Sequence, residues 1–181
     1  ANLTDPSTLV IRSHTSSACM QPLEQSVPTG CKANISDDKY YIDVDLTKYN
    51  REEGWKFDVK SETFQARHWA VVQPCGALGC PGDDCGDSTG ATVWICRDKP
   101  DGSNTCADYG LYRNAISVES FKPSSIQSGL SIIYKGSSNR NSHIRVQCNW
   151  TGSPGELVFS DNLDITSGGI SLYAFTKDVC V

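Results

Sequence analysis

A chain of 181 residues with a formal net charge of −5 fits one domain, or one domain with an N-terminal extension, and can enclose a sizeable core. The acidic balance and the lack of a basic run argue against duplex nucleic acid or an anionic membrane as partner. No apolar run nears the roughly 20 residues that cross a bilayer, so membrane contact would come only through an anchor outside this chain.

Nine cysteines exceed what a typical cytosolic protein carries, and their spacing matches no closed zinc ligand set. Sequons at Asn2, Asn34 and Asn149 add to the case for a disulfide-stapled domain of the secretory lumen or the extracellular space. An odd count leaves at least one cysteine without a partner in this chain.

Residues 1–30, rich in Ser, Thr and Pro, read as an extension along the domain edge, with one short strand expected at Leu9–Ile11. The domain proper is expected over 31–181. Lys39–Leu46 is a β-rich alternating run and Thr47–Gly54 a turn. Short strands follow at Trp55–Val59 and His68–Gln73. The five glycines, one proline and three aspartates of Gly76–Gly90 mark a loop, pinned by Cys80 and Cys85. Ala91–Cys96 is a strand of β-formers, Pro100-Asp-Gly-Ser a turn, and Cys106 starts the return strand. Another short strand falls within Tyr112–Phe121.

The clearest stretch is Ser128–Cys148. Leu130, Ile132 and Tyr134 alternate with Ser131, Ile133 and Lys135; Gly136–Asn139 supplies turn residues; His143, Arg145 and Gln147 then alternate with Ile144, Val146 and Cys148. Period two turns the second apolar set to a core and the polar set away from it. Arg140 stands where the second strand leaves the turn, a place where a rigid hairpin holds a guanidinium in reach of a bidentate ligand. Glu156–Phe159 is strand-like, Ser160–Gly169 a loop, and Ile170–Phe175 the last strand. Eight to ten short strands without helical periodicity predict an all-β fold: a flattened antiparallel barrel or sandwich of two sheets.

No nucleophile elbow and no phosphate-binding glycine loop is present, so no enzyme is expected, and no cofactor. Asp83, Asp84 and Asp87 lack the spacing of an EF-hand, and His14, His68 and His143 are scattered, so no metal is expected. Trp55, Trp69 and Trp94 read as core and Trp150 as surface.

The order of features resembles the mannose 6-phosphate receptor homology domain. Tyr134-Lys135-Gly136, Arg140 and Cys148 match its arginine hairpin; Leu172-Tyr173-Ala-Phe175 with Cys180 matches its C-terminal strand and last cysteine. Tyr41–Leu46 after Cys31 resembles its opening strand, and Gly90–Cys96 its central strand. The likeness covers about 31–181. It implies a flattened barrel and the pairs Cys148–Cys180 and Cys31–Cys75, with a bond from Cys80 or Cys85 to Cys96.

Sugar-binding members ring a terminal mannose with a glutamine, an arginine, a glutamate and a tyrosine. By resemblance the arginine is Arg140 and the tyrosine Tyr173. The acid is Asp161, with Glu156 as fallback, and Arg97 stands at the glutamine position, or Trp94 on a different gap placement. The function implied is a luminal lectin-like domain that binds mannose-type glycans, phosphorylated ones among them, on glycoprotein cargo during sorting. The alternative is the same fold without a sugar pocket, serving as a protein-interaction module of a trafficking or autophagy membrane protein, or of an enzyme subunit.

Overall fold

A computed structural model describes residues 31–62, 65–88, 90–111, 116–122, 125–136, 140–166 and 169–181. The extension, with Asn2, Cys19 and the strand expected at Leu9–Ile11, lies outside the described residues. The described residues form eleven strands, two single-turn 3-10 helices and no α-helix, so the fold is all-β.

β1 (Lys32–Ser36) and β2 (Tyr41–Asp45) form a separate hairpin. The Asp37 carboxylate shapes its turn, accepting from the backbone N–H groups of Lys39 and Tyr40 at 2.9 and 2.8 Å. β1 is not anticipated in the sequence, because Lys, Ala and Asn are weak strand formers and only pairing with β2 fixes them. β3 (Trp55–Val59), β4 (His68–Val72), β5 (Val93–Asp98) and β6 (Asn104–Gly110) make an antiparallel sheet in chain order. β7 (Ser117–Lys122), β8 (Ser125–Lys135), β9 (Asn141–Cys148), β10 (Val158–Thr166) and β11 (Gly169–Thr176) make the second sheet, in the order β10-β11-β9-β8-β7.

Two expectations change here. β11 lies parallel to β9, because the chain reverses twice between them and returns inside β10 instead of outside it. The loop expected at Ser160–Gly169 is largely strand: Ser-Asp-Asn, read as a turn, is a bulge in β10 between Phe159 and Leu163.

The main core lies between the sheets. Trp55, Val72, Val93 and Ile95 from one sheet meet Leu130, Ile132, Tyr134, Ile144, Val146 and Leu172 from the other, and the alternation of β9 falls in the predicted phase. A second, smaller core covers the back of the four-stranded sheet, where Trp69, Val71, Trp94, Cys96 and Cys106 pack under Leu78 and Cys85 of the glycine-rich loop. Trp55, Trp69 and Trp94 are buried, and Trp150 is 65% exposed.

The sheets touch through isolated seams, not a continuous ladder. Lys60 N–H donates to Asp161 O at 2.6 Å and Leu163 N–H to Lys60 O at 3.0 Å; at the other edge Leu111 N–H donates to Lys135 O at 2.9 Å. The fold is a sandwich and not a closed barrel.

Four disulfides among the described residues staple it. Cys31–Cys75 and Cys148–Cys180 form as expected. The expected bond from Cys80 or Cys85 to Cys96 does not: Cys80 pairs with Cys85, and Cys96 with Cys106. The reason is register, since β5 and β6 set Cys96 directly opposite Cys106.

Candidate ligand-binding face

The face of the five-stranded sheet turned away from the core is built by the same alternation that builds the core. Leu172 and Ala174 of β11 point inward, so Tyr173 and Phe175 point outward. β9 lies beside β11 in parallel register, setting Tyr173 next to Arg145 and Phe175 next to Gln147. β8 adds Ser131 opposite Arg145, and β7 adds Glu119 opposite Ser131. One row along, Asp164, Ser171 and His143 are neighbours.

Tyr173 is the centre of this face. Arg145 Nη1–H donates to its hydroxyl oxygen at 3.3 Å, and its O–H donates to the carboxylate of Asp164. The Arg145 guanidinium also lies 5.6 Å from the Tyr173 ring centroid. The hydrogen bond to Asp164 and partial burial raise the phenol pKa above its ordinary value, and Arg145 opposes them. The phenol therefore stays protonated and acts as a relay of polarity between a cation and an anion. Three adjacent strands thus present, in line, an acceptor, a donor-acceptor and a donor.

The four residues expected to ring a ligand occupy separate settings. Arg140 leans toward the other sheet, its guanidinium carbon 6.0 Å from the Tyr109 ring, whereas Tyr173 is on the outer face. Asp161 sits in the β10 bulge beside Tyr173, but its carboxylate binds Lys60 Nζ at 2.5 Å; that contact holds its pKa below the ordinary carboxylate value. Glu156, the fallback acid, lies exposed in the loop before β10. Arg97 stands on β5 of the four-stranded sheet, opposite His68; Trp94, the other placement, is buried in the second core. No side-chain hydrogen bond or ion pair among the described residues joins any two of these four.

The sequence alone does not single out Arg145 and Asp164. The period-two phase of β9 put Arg145 on the polar face, but only the β9–β11 register shows that it neighbours Tyr173. Asp164 was hidden inside a segment read as loop. Asp83 and Asp84, the acids of the glycine-rich loop, cap backbone N–H groups of Asn104 and Gly86 at 2.9 and 3.0 Å.

Two sequons fall within the described residues. Asn34 is exposed on β1, its side-chain oxygen accepting from Tyr41 O–H at 2.8 Å. Asn149 Oδ1 accepts from Thr151 N–H and O–H at 3.1 and 2.8 Å, in the loop that exposes Trp150. The disulfides indicate a compartment outside the cytosol, and no helix among the described residues is long and apolar enough to cross a membrane. No family model matches the chain, and no curated protein matches it.

Proposed function

We propose that the domain recognises glycans on luminal or extracellular glycoproteins, through the outer face of its five-stranded sheet. The observation that carries this reading is the Arg145–Tyr173–Asp164 chain across three neighbouring strands. A sugar hydroxyl both donates and accepts, so it is matched by donors and acceptors interleaved at fixed spacing, and the charged partners strengthen those bonds. His143 and Gln147, both partly exposed, extend the polar surface, and Tyr173 with Phe175 offers ring faces for the apolar side of a pyranose. The resemblance to the mannose 6-phosphate receptor homology domain supports a mannose-type terminus as the first ligand to test. Each contact face is small and open, so affinity per site is low and multivalent display raises it.

Binding is measured on an array of mannose-terminated and mannose 6-phosphate-terminated glycans with the chain presented as a tetramer. The wild type binds saturably, and Tyr173→Phe, which removes the hydroxyl but keeps the ring, weakens binding at least about tenfold. Undiminished binding by Tyr173→Phe overturns this site, and no binding by the wild type overturns the glycan reading.

One observation favours a second reading: Asp161 is ion-paired to Lys60 and Arg140 turns to Tyr109, so the sugar-coordinating ring of the resembling family is not assembled. In that reading the same charge-alternating face docks a protein partner in a trafficking complex. Crosslinking from position 145 to a protein that resists glycosidase treatment supports it.

A further inference from the structure

A second polar site lies on the other sheet. β4 and β5 pair with His68 directly opposite Arg97, in the inward phase of Ala70 and Ile95. This row runs from Val59 on β3, which is buried, through His68 and Arg97, which is exposed, to Thr105 on β6. The core thus gives out partway along the row, and the sheet overhangs it. His68 and Arg97 line an open cleft of about 580 Å³ there, together with Gln65, Asp98 and Lys99.

The charges of this cleft are not balanced from within. The one acid on its wall, Asp98, is engaged: it accepts from Trp69 Nε1–H at 3.1 Å and lies 3.8 Å from Arg67 Nη1. Lys99 stands 3.9 Å from Asp84, a loose pair. His68 is oriented by the contact of its Nδ1 with Ala66 O at 2.8 Å. The Arg97 side chain makes no hydrogen bond or ion pair among the described residues. A planar guanidinium that is rigidly based on a central strand and uncommitted presents two parallel N–H donors to the cleft. A carbohydrate hydroxyl gains little from a site that offers mainly donors; an oxyanion accepts from all of them.

We propose that this cleft binds a tetrahedral oxyanion, the phosphate or sulfate group of a ligand, with Arg97 as the bidentate contact and His68 and Lys99 flanking it. The site is separate from the Tyr173 face and stands or falls independently of the glycan reading.

The test is titration of the isotope-labelled chain with inorganic phosphate and with sulfate at pH 6 and constant ionic strength, followed by amide chemical shifts. Saturable shifts at His68, Arg97 and Lys99 are expected. Arg97→Gln weakens the apparent affinity at least about tenfold, whereas Lys39→Gln, which removes one exposed charge elsewhere, leaves it within about twofold. Glucose 6-phosphate and glucose 6-sulfate then distinguish the source of the group, and saturation by either supports the site. Shifts that rise linearly without saturation, or equal affinities for wild type and Arg97→Gln, overturn the proposal. Retention of the wild-type amide spectrum outside the cleft shows that Arg97→Gln is folded.

Discussion

Asp178 shows how much one carboxylate can organise. It follows β11 and accepts from Tyr49 O–H and Gly155 N–H, each at 2.8 Å, and from Lys48 Nζ at 3.0 Å. Burial works to raise its pKa, but these three donors together outweigh it and hold the value below the ordinary carboxylate range. A depressed pKa in the folded state means that the stabilisation is complete above the unfolded-chain value, near pH 4, and is lost as the pH falls through the folded value. Denaturation at pH 7 and pH 3 is the check: Asp178→Asn is less stable than wild type at pH 7, and the gap narrows at pH 3. The pKa of Asp161 is depressed in the same sense, but its pair with Lys60 is exposed and adds little to stability. Tyr134 is a different case. Its ring is fully buried and its O–H donates to Pro74 O at 2.8 Å. Tyr134→Phe keeps the packing and orphans a buried carbonyl, so a loss of about 1–3 kcal/mol is expected in urea denaturation.

Strand phase and register decide what each element contributes. β8 runs for eleven residues and pairs with β7 along one edge and, from Leu130 on, with β9 along the other. Gly129 permits the close approach to β9: its φ is +102°, and a Cβ there would stand 2.3 Å from Val146 O. Gly129→Ala combines a disfavoured backbone conformation with a clash against a ladder carbonyl. The expected loss is at least about 2 kcal/mol, read as a lower thermal midpoint with unchanged strand content by circular dichroism. The β10 bulge is the element that sequence reasoning handles worst. Ser160, Asp161 and Asn162 are turn residues by local chemistry, yet β11 on one side and Lys60 on the other hold them in an extended strand. That strand is what brings Asp164 to Tyr173.

At the scale of the molecule, the disulfides tie together parts that are distant along the chain. Cys148–Cys180 joins the end of β9 to the C-terminal turn after β11, and Cys31–Cys75 joins the β1–β2 hairpin to the residues after β4. Opening the first, with its sequence separation of 32, restores chain entropy to the unfolded state and is expected to cost about 3–4 kcal/mol. The double variant Cys148→Ala/Cys180→Ala, compared with wild type by equilibrium denaturation, measures it. A non-reducing peptide map tests the corrected pairing: peptides linked through Cys96 and Cys106 are expected, and none linking Cys85 to Cys96.

The sequence by itself determined what local chemistry controls. Alternation in Leu130–Tyr134 and in Ile144–Val146 set which side chains are buried, and turn residues set most strand limits, because each depends on neighbours within a few positions along the chain; the cysteine count pointed to a location outside the cytosol. Tertiary structure alone decided which strands lie side by side. The parallel placement of β11 against β9 made Arg145 and Asp164 the partners of Tyr173, turned Arg140 toward Tyr109, and left Arg97 on another sheet. Pairing between segments some thirty residues apart is a choice among packings of nearly equal local propensity, and the burial of the whole core makes that choice.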